Sequence, residues 1–204
     1  MIEFLKNRDL FLWALLGILL LSGIGLFALY REARHSDTAE MRIQFQTLPA
    51  EMWKRFSSHE GKFSIMFPGI PVTTNLPVNV STGTNAGHLF YVNYTPVNSF
   101  AIEYEDSAKF MGPDVKKSPQ EFLQKTENLS IPEGPAKIVF EQESTFDGYP
   151  AREFEYAVGG KGNYSVRYKM ILAGGRFYVL YVIFLTANPH PADRAIFFNS
   201  LSLN

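Results

Sequence analysis

The longest apolar segment of the chain runs from residue 10 to residue 30, LFLWALLGILLLSGIGLFALY, and no charge interrupts its 21 positions. As an α-helix it has a length of about 31 Å, which matches a hydrocarbon core of about 30 Å. Trp13 lies near one end and Tyr30 at the other, where their amphipathic rings suit the two membrane interfaces. The segment therefore predicts a single transmembrane helix behind a short tail, residues 1–9.

Two other interpretations of this segment fit less well. A cleaved signal peptide has an apolar region of about 7 to 15 residues and a cleavage site of small side chains, whereas residues 10–30 are longer and end in bulky ones. A helix that is apolar all round at a chain terminus is also unlike a core helix. Lys6 and Arg8 precede the segment while Arg31 and Arg34 follow it, so the positive charges are almost balanced. The free amino terminus favours a cytoplasmic N-terminus and an exported domain.

Beyond this segment the pattern changes twice. Residues 31–51 are mostly polar and have no strong apolar period, which indicates a juxtamembrane linker, and a domain over residues 52–204 follows it. Within the domain, apolar side chains alternate with polar ones over short stretches, as in half-buried strands. Two such stretches place Phe63, Ile65 and Phe67, and then Phe100, Ile102 and Tyr104, on single faces.

Two parts of the domain predict helices. Ser118, Pro119 and Glu121 form a capping box with proline at the first helical position, so a helix begins there and ends before Pro132. The second part is residues 189–201, PHPADRAIFFNSL, whose apolar side chains can cover one face of a sheet.

Four strands joined by turns complete the domain, at residues 136–145, 151–158, 164–173 and 176–186. Asp147-Gly148 and two glycine-rich turns separate them, which predicts an antiparallel meander. The last strand contains FYVLYVIFL and is apolar on both faces, and such a strand is normally central with both faces covered. The predicted fold class is therefore α+β: a mainly antiparallel β-sheet with helices packed on both faces, behind the transmembrane helix.

Four short motifs lie along the domain, at turns, at strand starts and at the end of the last helix. They are Gly61, Phe63, Ser64, Phe67 and Pro68, then Gly148, Pro150, Ala151 and Glu153, then Arg176 and Tyr178, and last Phe198, Asn199, Ser200 and Leu201. Their order resembles bacterial exported domains similar to the PsbP superfamily, the extrinsic subunits of photosystem II. The resemblance covers about residues 52–204 and implies an α/β/α sandwich with an accessory, binding or assembly role and no catalysis. The membrane anchor departs from a soluble lumenal subunit.

Composition narrows the chemistry further. The 204 residues are 46% hydrophobic, which is typical of a globular chain, and the net charge of −1 gives no field that recruits nucleic acid. The absence of cysteine excludes disulfides, thiolate metal sites and a cysteine nucleophile. Phosphate-loop, zinc-protease and serine-hydrolase motifs are also absent. None of the histidines has a second histidine at a local metal-binding spacing, so we predict no metal, cofactor or catalytic residue; they are His35, His59, His88 and His190.

Charged residues on two neighbouring strands form a candidate binding strip. A hairpin over residues 159–162 sets a register in which Phe154 stacks against Tyr168 on one face. Opposite charges across the strands stabilise a sheet by about 0.2–1 kcal/mol each, so a structural role explains them well. The alternative is a strip that recognises an anion or a partner. The predicted pairs are Glu155 with Arg167 and Glu153 with Lys169.

These observations favour a membrane-anchored, non-catalytic accessory domain that binds a partner protein or assists assembly of a membrane complex. A first alternative is a small-ligand or sensor domain with a pocket lined by tyrosines. A second is a hydrolase acting on envelope material, which requires His88 or His190 beside the acidic side chains of Glu103 and Glu105.

Overall fold

The structure is a computed structural model that describes residues 47–75, 87–95, 98–106, 118–159, 163–186 and 190–204. The predicted anchor, with Trp13 and Tyr30, lies outside these residues. Among the residues described, no helix is long and apolar enough to span a bilayer.

Within the described residues, ten strands and two α-helices follow one another. The helices are α1 (Pro119–Ser130) and α2 (Pro191–Asn199), and a 3-10 turn at Ala50–Met52 precedes the first strand. The strands are β1 (Lys54–Ser58), β2 (Phe63–Phe67), β3 (Val72–Asn75), β4 (His88–Thr95), β5 (Asn98–Asp106), β6 (Ala136–Phe146), β7 (Tyr149–Val158), β8 (Tyr164–Ala173), β9 (Arg176–Leu185) and β10 (Ser202–Leu203).

Seven of the strands form one large antiparallel sheet in the order β3-β4-β5-β9-β8-β7-β6. Strand β9 lies in its middle, as its two apolar faces predict, and pairs with β5 and β8. The turn from β6 to β7 uses Asp147 and Gly148 at φ 49° and 81°, and Gly174 and Gly175 connect β8 to β9 at 58° and 78°. Left-handed residues at both central positions match a tight hairpin whose twist fits the sheet.

Alternate residues of β9 enter two separate hydrophobic cores. Tyr178, Leu180, Val182 and Phe184 face the first core, which a small sheet of order β1-β2-β10 and helix α2 cover. The predicted helix layer on this face is therefore only partly correct, because a second sheet forms much of it. Strand β2 is the central strand of this smaller sheet and does not join the large one. Its Phe63, Ile65 and Phe67 are completely buried.

Helix α1 covers the second core on the opposite face of the large sheet. Its Leu123 is fully buried, and the ring of Phe122 meets Phe177 of β9 edge-on with centroids 5.5 Å apart. The helix begins at the predicted position, with Pro119 in its first turn. The predicted capping box is wrong in detail, because the Ser118 side chain caps no backbone N–H; the N–H of Phe122 donates to the Ser118 carbonyl at 3.2 Å instead.

Phe197 holds α2 against the first core. Its side chain is fully buried, and its ring lies 5.4 Å from that of Phe67 and 5.5 Å from that of Phe100. The neighbouring Ile196 is 37% exposed and faces away from this core.

We expect Phe197→Ala to lower the free energy of unfolding by about 3–5 kcal/mol, because it removes a large buried ring and leaves a cavity. Ile196→Ala is the matched control, and surface substitutions of this kind change stability by about 0.5 kcal/mol. Urea unfolding of the detergent-solubilised full chain measures both. Equal losses for the two variants would contradict the packing of α2 described above.

Candidate functional site

The predicted register of β7 and β8 is confirmed. Glu155 pairs with Arg167 and Glu153 with Lys169, while Phe154 pairs with Tyr168. The Phe154 and Tyr168 rings stack with centroids 4.7 Å apart in the second core. The four charged side chains therefore lie together on the opposite face, the one that carries the first core.

Ion pairs join these four side chains into a network. Arg167 makes its shortest contact diagonally, with Glu153 at 2.9 Å, and lies 3.8 Å from Glu155 directly across from it. The Lys169 amine lies 3.4 Å from Glu153, which therefore contacts two cations. Each side chain is partly shielded from water, which strengthens such contacts relative to those on an open surface.

Helix α2 adds a fifth charged residue that the sequence did not indicate. The Arg194 guanidinium lies 3.0 Å from the Glu155 carboxylate, 39 residues away along the chain. We define the binding strip as Glu153, Glu155, Arg167, Lys169 and Arg194. Three cations face two carboxylates in it, so its formal charge is +1. Only the tertiary packing of α2 brings Arg194 here, and no pattern in the sequence of α2 signals it.

Aromatic rings support the cations of the binding strip. The Arg167 guanidinium lies 3.6 Å from the centroid of Phe140, and Lys169 lies 5.1 Å from that of Phe146. Arg194 lies 4.4 Å from the centroid of Phe184. These contacts fix the positions of the charges, since a ring face attracts a cation within about 6 Å. The rings and the carboxylates together therefore hold the three cations in place.

The histidines and acidic side chains required by the hydrolase alternative do not come together. His88 pairs with Tyr104 and stacks on its ring at 4.8 Å, on the face of the first core. Glu103 and Glu105 alternate with Tyr104 along β5 and therefore project from the opposite face. His190 lies 3.2 Å from Asp193 at the start of α2.

Burial changes the acidity of the two β5 glutamates. It raises the pKa of Glu103 from about 4.5 to about 8, and the nearby charge of Glu105 adds to the rise. Burial also raises the pKa of Glu105 to about 7. The sequence shows that both residues are acidic, but it does not show that they are shielded from water. That shielding depends on the packing around β5, which lies between β4 and β9, and no pattern within β5 predicts it.

A buried ion pair that the sequence did not reveal connects α1 to the large sheet. Arg152 of β7 is 4% exposed and donates from Nε to the carboxylate of Glu127, which is 1% exposed. Arg152 also lies 3.0 Å from Glu141 and 3.5 Å from Glu143 on β6. One guanidinium thus contacts three carboxylates of two elements, which fixes α1 over the second core.

A small cavity lies beside the binding strip, at the start of α2. Its volume is about 10 Å³, which is room for about one water molecule and far below the several hundred Å³ of ordinary ligand pockets. Among the described residues, no group of three histidine, aspartate or glutamate side chains could hold a metal ion. The side chains that line the cavity include Tyr94, Asn98, His190, Asp193 and Arg194.

No protein-family model matches the chain, and no curated protein does. Among solved structures, it is similar to cyanobacterial PsbP from Synechocystis at 10% identity and a TM-score of 0.48, over 84% of this chain and 99% of that one. It is also similar to LpqN of Mycobacterium tuberculosis, a protein involved in cell envelope biogenesis, at 14% identity and a TM-score of 0.40, over 74% and 90%.

A third similar structure is a protein of unknown function from Pseudomonas aeruginosa, at 15% identity and a TM-score of 0.36, over 70% of this chain and 90% of that one. These likenesses concern the course of the backbone alone. The described residues of this chain form an α+β domain with mostly antiparallel sheets and two α-helices. The activities of the similar proteins do not transfer at such distances.

We expect Arg152→Met to cost about 3–5 kcal/mol of unfolding free energy, because it leaves the Glu127 carboxylate buried without its cation. The double variant Glu127→Leu with Arg152→Met removes both charges and is expected to regain most of that loss. Lys137→Met, on an exposed position of β6, is the control. If the double variant unfolds as easily as Arg152→Met, the unpaired Glu127 carboxylate is not the cause of the lost stability.

Glu103→Gln is expected to stabilise the protein increasingly as the pH rises. The unfolded chain loses the Glu103 proton near pH 4.5 but the folded chain holds it up to about pH 8, so stability falls across that window. Glutamine resembles the protonated side chain and removes this loss. Thermal melts should show little difference from the unaltered chain at pH 5 and a higher Tm of the variant, by several degrees, at pH 8.5.

Glu121→Gln on the exposed side of α1 serves as the control for the exchange of a glutamate for a glutamine. A Glu103→Gln effect of the same size at pH 5 and pH 8.5 would show that the Glu103 carboxyl does not titrate in this range.

Proposed function

We propose that this chain is a membrane-anchored accessory domain without catalytic activity, which binds a partner protein through the binding strip. Residues 10–30 supply the anchor, since their length and apolar character suit a bilayer. The positive charges on its two flanks are almost balanced. We propose a cytoplasmic N-terminus and an exported domain, and the partner is then a component of a membrane complex.

The organisation of the binding strip is the observation that carries this proposal. Its charged heads are held by aromatic rings and by one another, so little side-chain entropy is lost when a partner binds. Its excess of one positive charge favours an acidic segment of the partner. Arginine is also enriched among the residues that contribute most to binding at the centres of protein interfaces.

Affinity purification of the tagged full chain after mild detergent extraction tests this proposal. Arg167→Gln with Lys169→Gln removes two cations of the binding strip and keeps polar side chains there. The control is Lys54→Gln with Lys137→Gln, which removes two exposed cations from other strands. Quantitative mass spectrometry should find a membrane protein whose recovery falls about tenfold with the first variant and stays level with the control.

A recovered set of proteins that is the same for both variants would contradict binding through this strip. Circular dichroism melts of the two variants separate loss of the surface from loss of the fold. A partner whose recovery rises with salt would contradict the electrostatic part of the proposal, because salt weakens exposed charge–charge attraction.

A further inference from the structure

Helix α2 carries its polar and apolar residues in an unusual arrangement. Asp193 is only 1% exposed and lies beneath the helix, whereas Ala192, Ala195 and Ile196 are exposed to solvent. A surface helix normally turns its charged side chains outward and its apolar ones toward the core. Phe197 does face the core, so α2 is apolar on two sides.

The buried Asp193 also binds the backbone at Leu48, where the polypeptide enters the domain. Its two carboxylate oxygens accept the backbone N–H of Leu48 at 3.1 and 3.3 Å, across 145 positions of sequence. Leu48 falls within the predicted linker, yet its side chain is 7% exposed and belongs to the first core. The polypeptide arriving from the anchor is therefore attached at the first turn of α2.

Uncharged exposed residues lie on both sides of this attachment, and the exposed Glu51 is the first charged residue after them. Pro49 and Ala50 follow Leu48 and are exposed, as are the three outward residues of α2. We define the tether face as Pro49, Ala50, Ala192, Ala195 and Ile196. Tyr94, 39% exposed, lines the same small cavity as Leu48 and Asp193 and so lies beside this face.

Seventeen residues, 31–47, separate the predicted anchor from the tether face. A random-coil chain of seventeen residues spans about 23 Å root-mean-square. A tether this short gives a local concentration on the order of millimolar, at which a small apolar contact suffices for binding. Tyrosine and arginine suit the level of lipid head groups, and Tyr94 and Arg194 border the face.

We propose that the tether face rests on the surface of the bilayer that anchors the chain. This inference depends on the anchor of the proposed function. It adds an orientation: because Arg194 connects α2 to Glu155, the binding strip is held beside the membrane. The strip then meets an acidic segment of its partner next to the bilayer.

The cysteine-free chain permits a direct test with single labels. Ala195→Cys on the tether face and Gln124→Cys on the exposed side of α1 each take one fluorophore. The labelled full chain is reconstituted into phosphatidylcholine–phosphatidylglycerol vesicles that carry a head-group quencher. We expect at least threefold stronger quenching at position 195 than at position 124, because α1 and α2 cover opposite faces of the large sheet.

Equal quenching at the two positions would overturn the inference, and would instead leave the face free for a protein. Ile196→Asp in the Ala195→Cys chain should reduce the quenching to the level of position 124 without releasing the protein from the vesicles. Flotation of the vesicles separates the two proposals. A chain that fails to float contradicts the anchor and the proposed function, whereas a chain that floats with equal quenching contradicts only the orientation.

Discussion

Burial of both faces of β9 is the constraint on which the rest of the structure depends. Its side chains are apolar on either side of the strand, and each set of them needs a covering layer. Helix α1 covers one face, and α2 together with the small sheet covers the other. The small sheet that covers the large one is built from both ends of the domain. Strands β1 and β2 come from its start, and β10 comes from its end.

These two layers also determine where on the large sheet charged side chains can lie. The small sheet and α2 cover the middle of one face, and the charged side chains of β7 and β8 occupy the part beside them, where Arg194 still reaches them. On the other face, α1 encloses Glu127 and Arg152, which are acceptable there because they pair. Glu103 is buried on that face too, and it keeps its proton up to about pH 8.

The sequence predicted much of the fold because strand alternation and turn residues are local signals. Strands β8 and β9 begin where their patterns indicate, and the pairing of Glu155 with Arg167 follows from one hairpin. The sequence could not predict that β2 belongs to a separate sheet, because apolar and polar residues alternate in the same way in either sheet. Arg194, the Glu127–Arg152 pair and the bond from Leu48 to Asp193 join residues 25 to 145 positions apart, so no local pattern encodes them.

Strand β9 is the shared centre of two cores, and these cores hold both proposed surfaces in place. Native-state hydrogen exchange of the full chain, followed by mass spectrometry, measures this directly. We expect the amides of β9 to exchange most slowly, together with those of β5 and β8, and those of the edge strands β3 and β6 to exchange much faster. Exchange in β9 as fast as in β6 would contradict the two-core architecture.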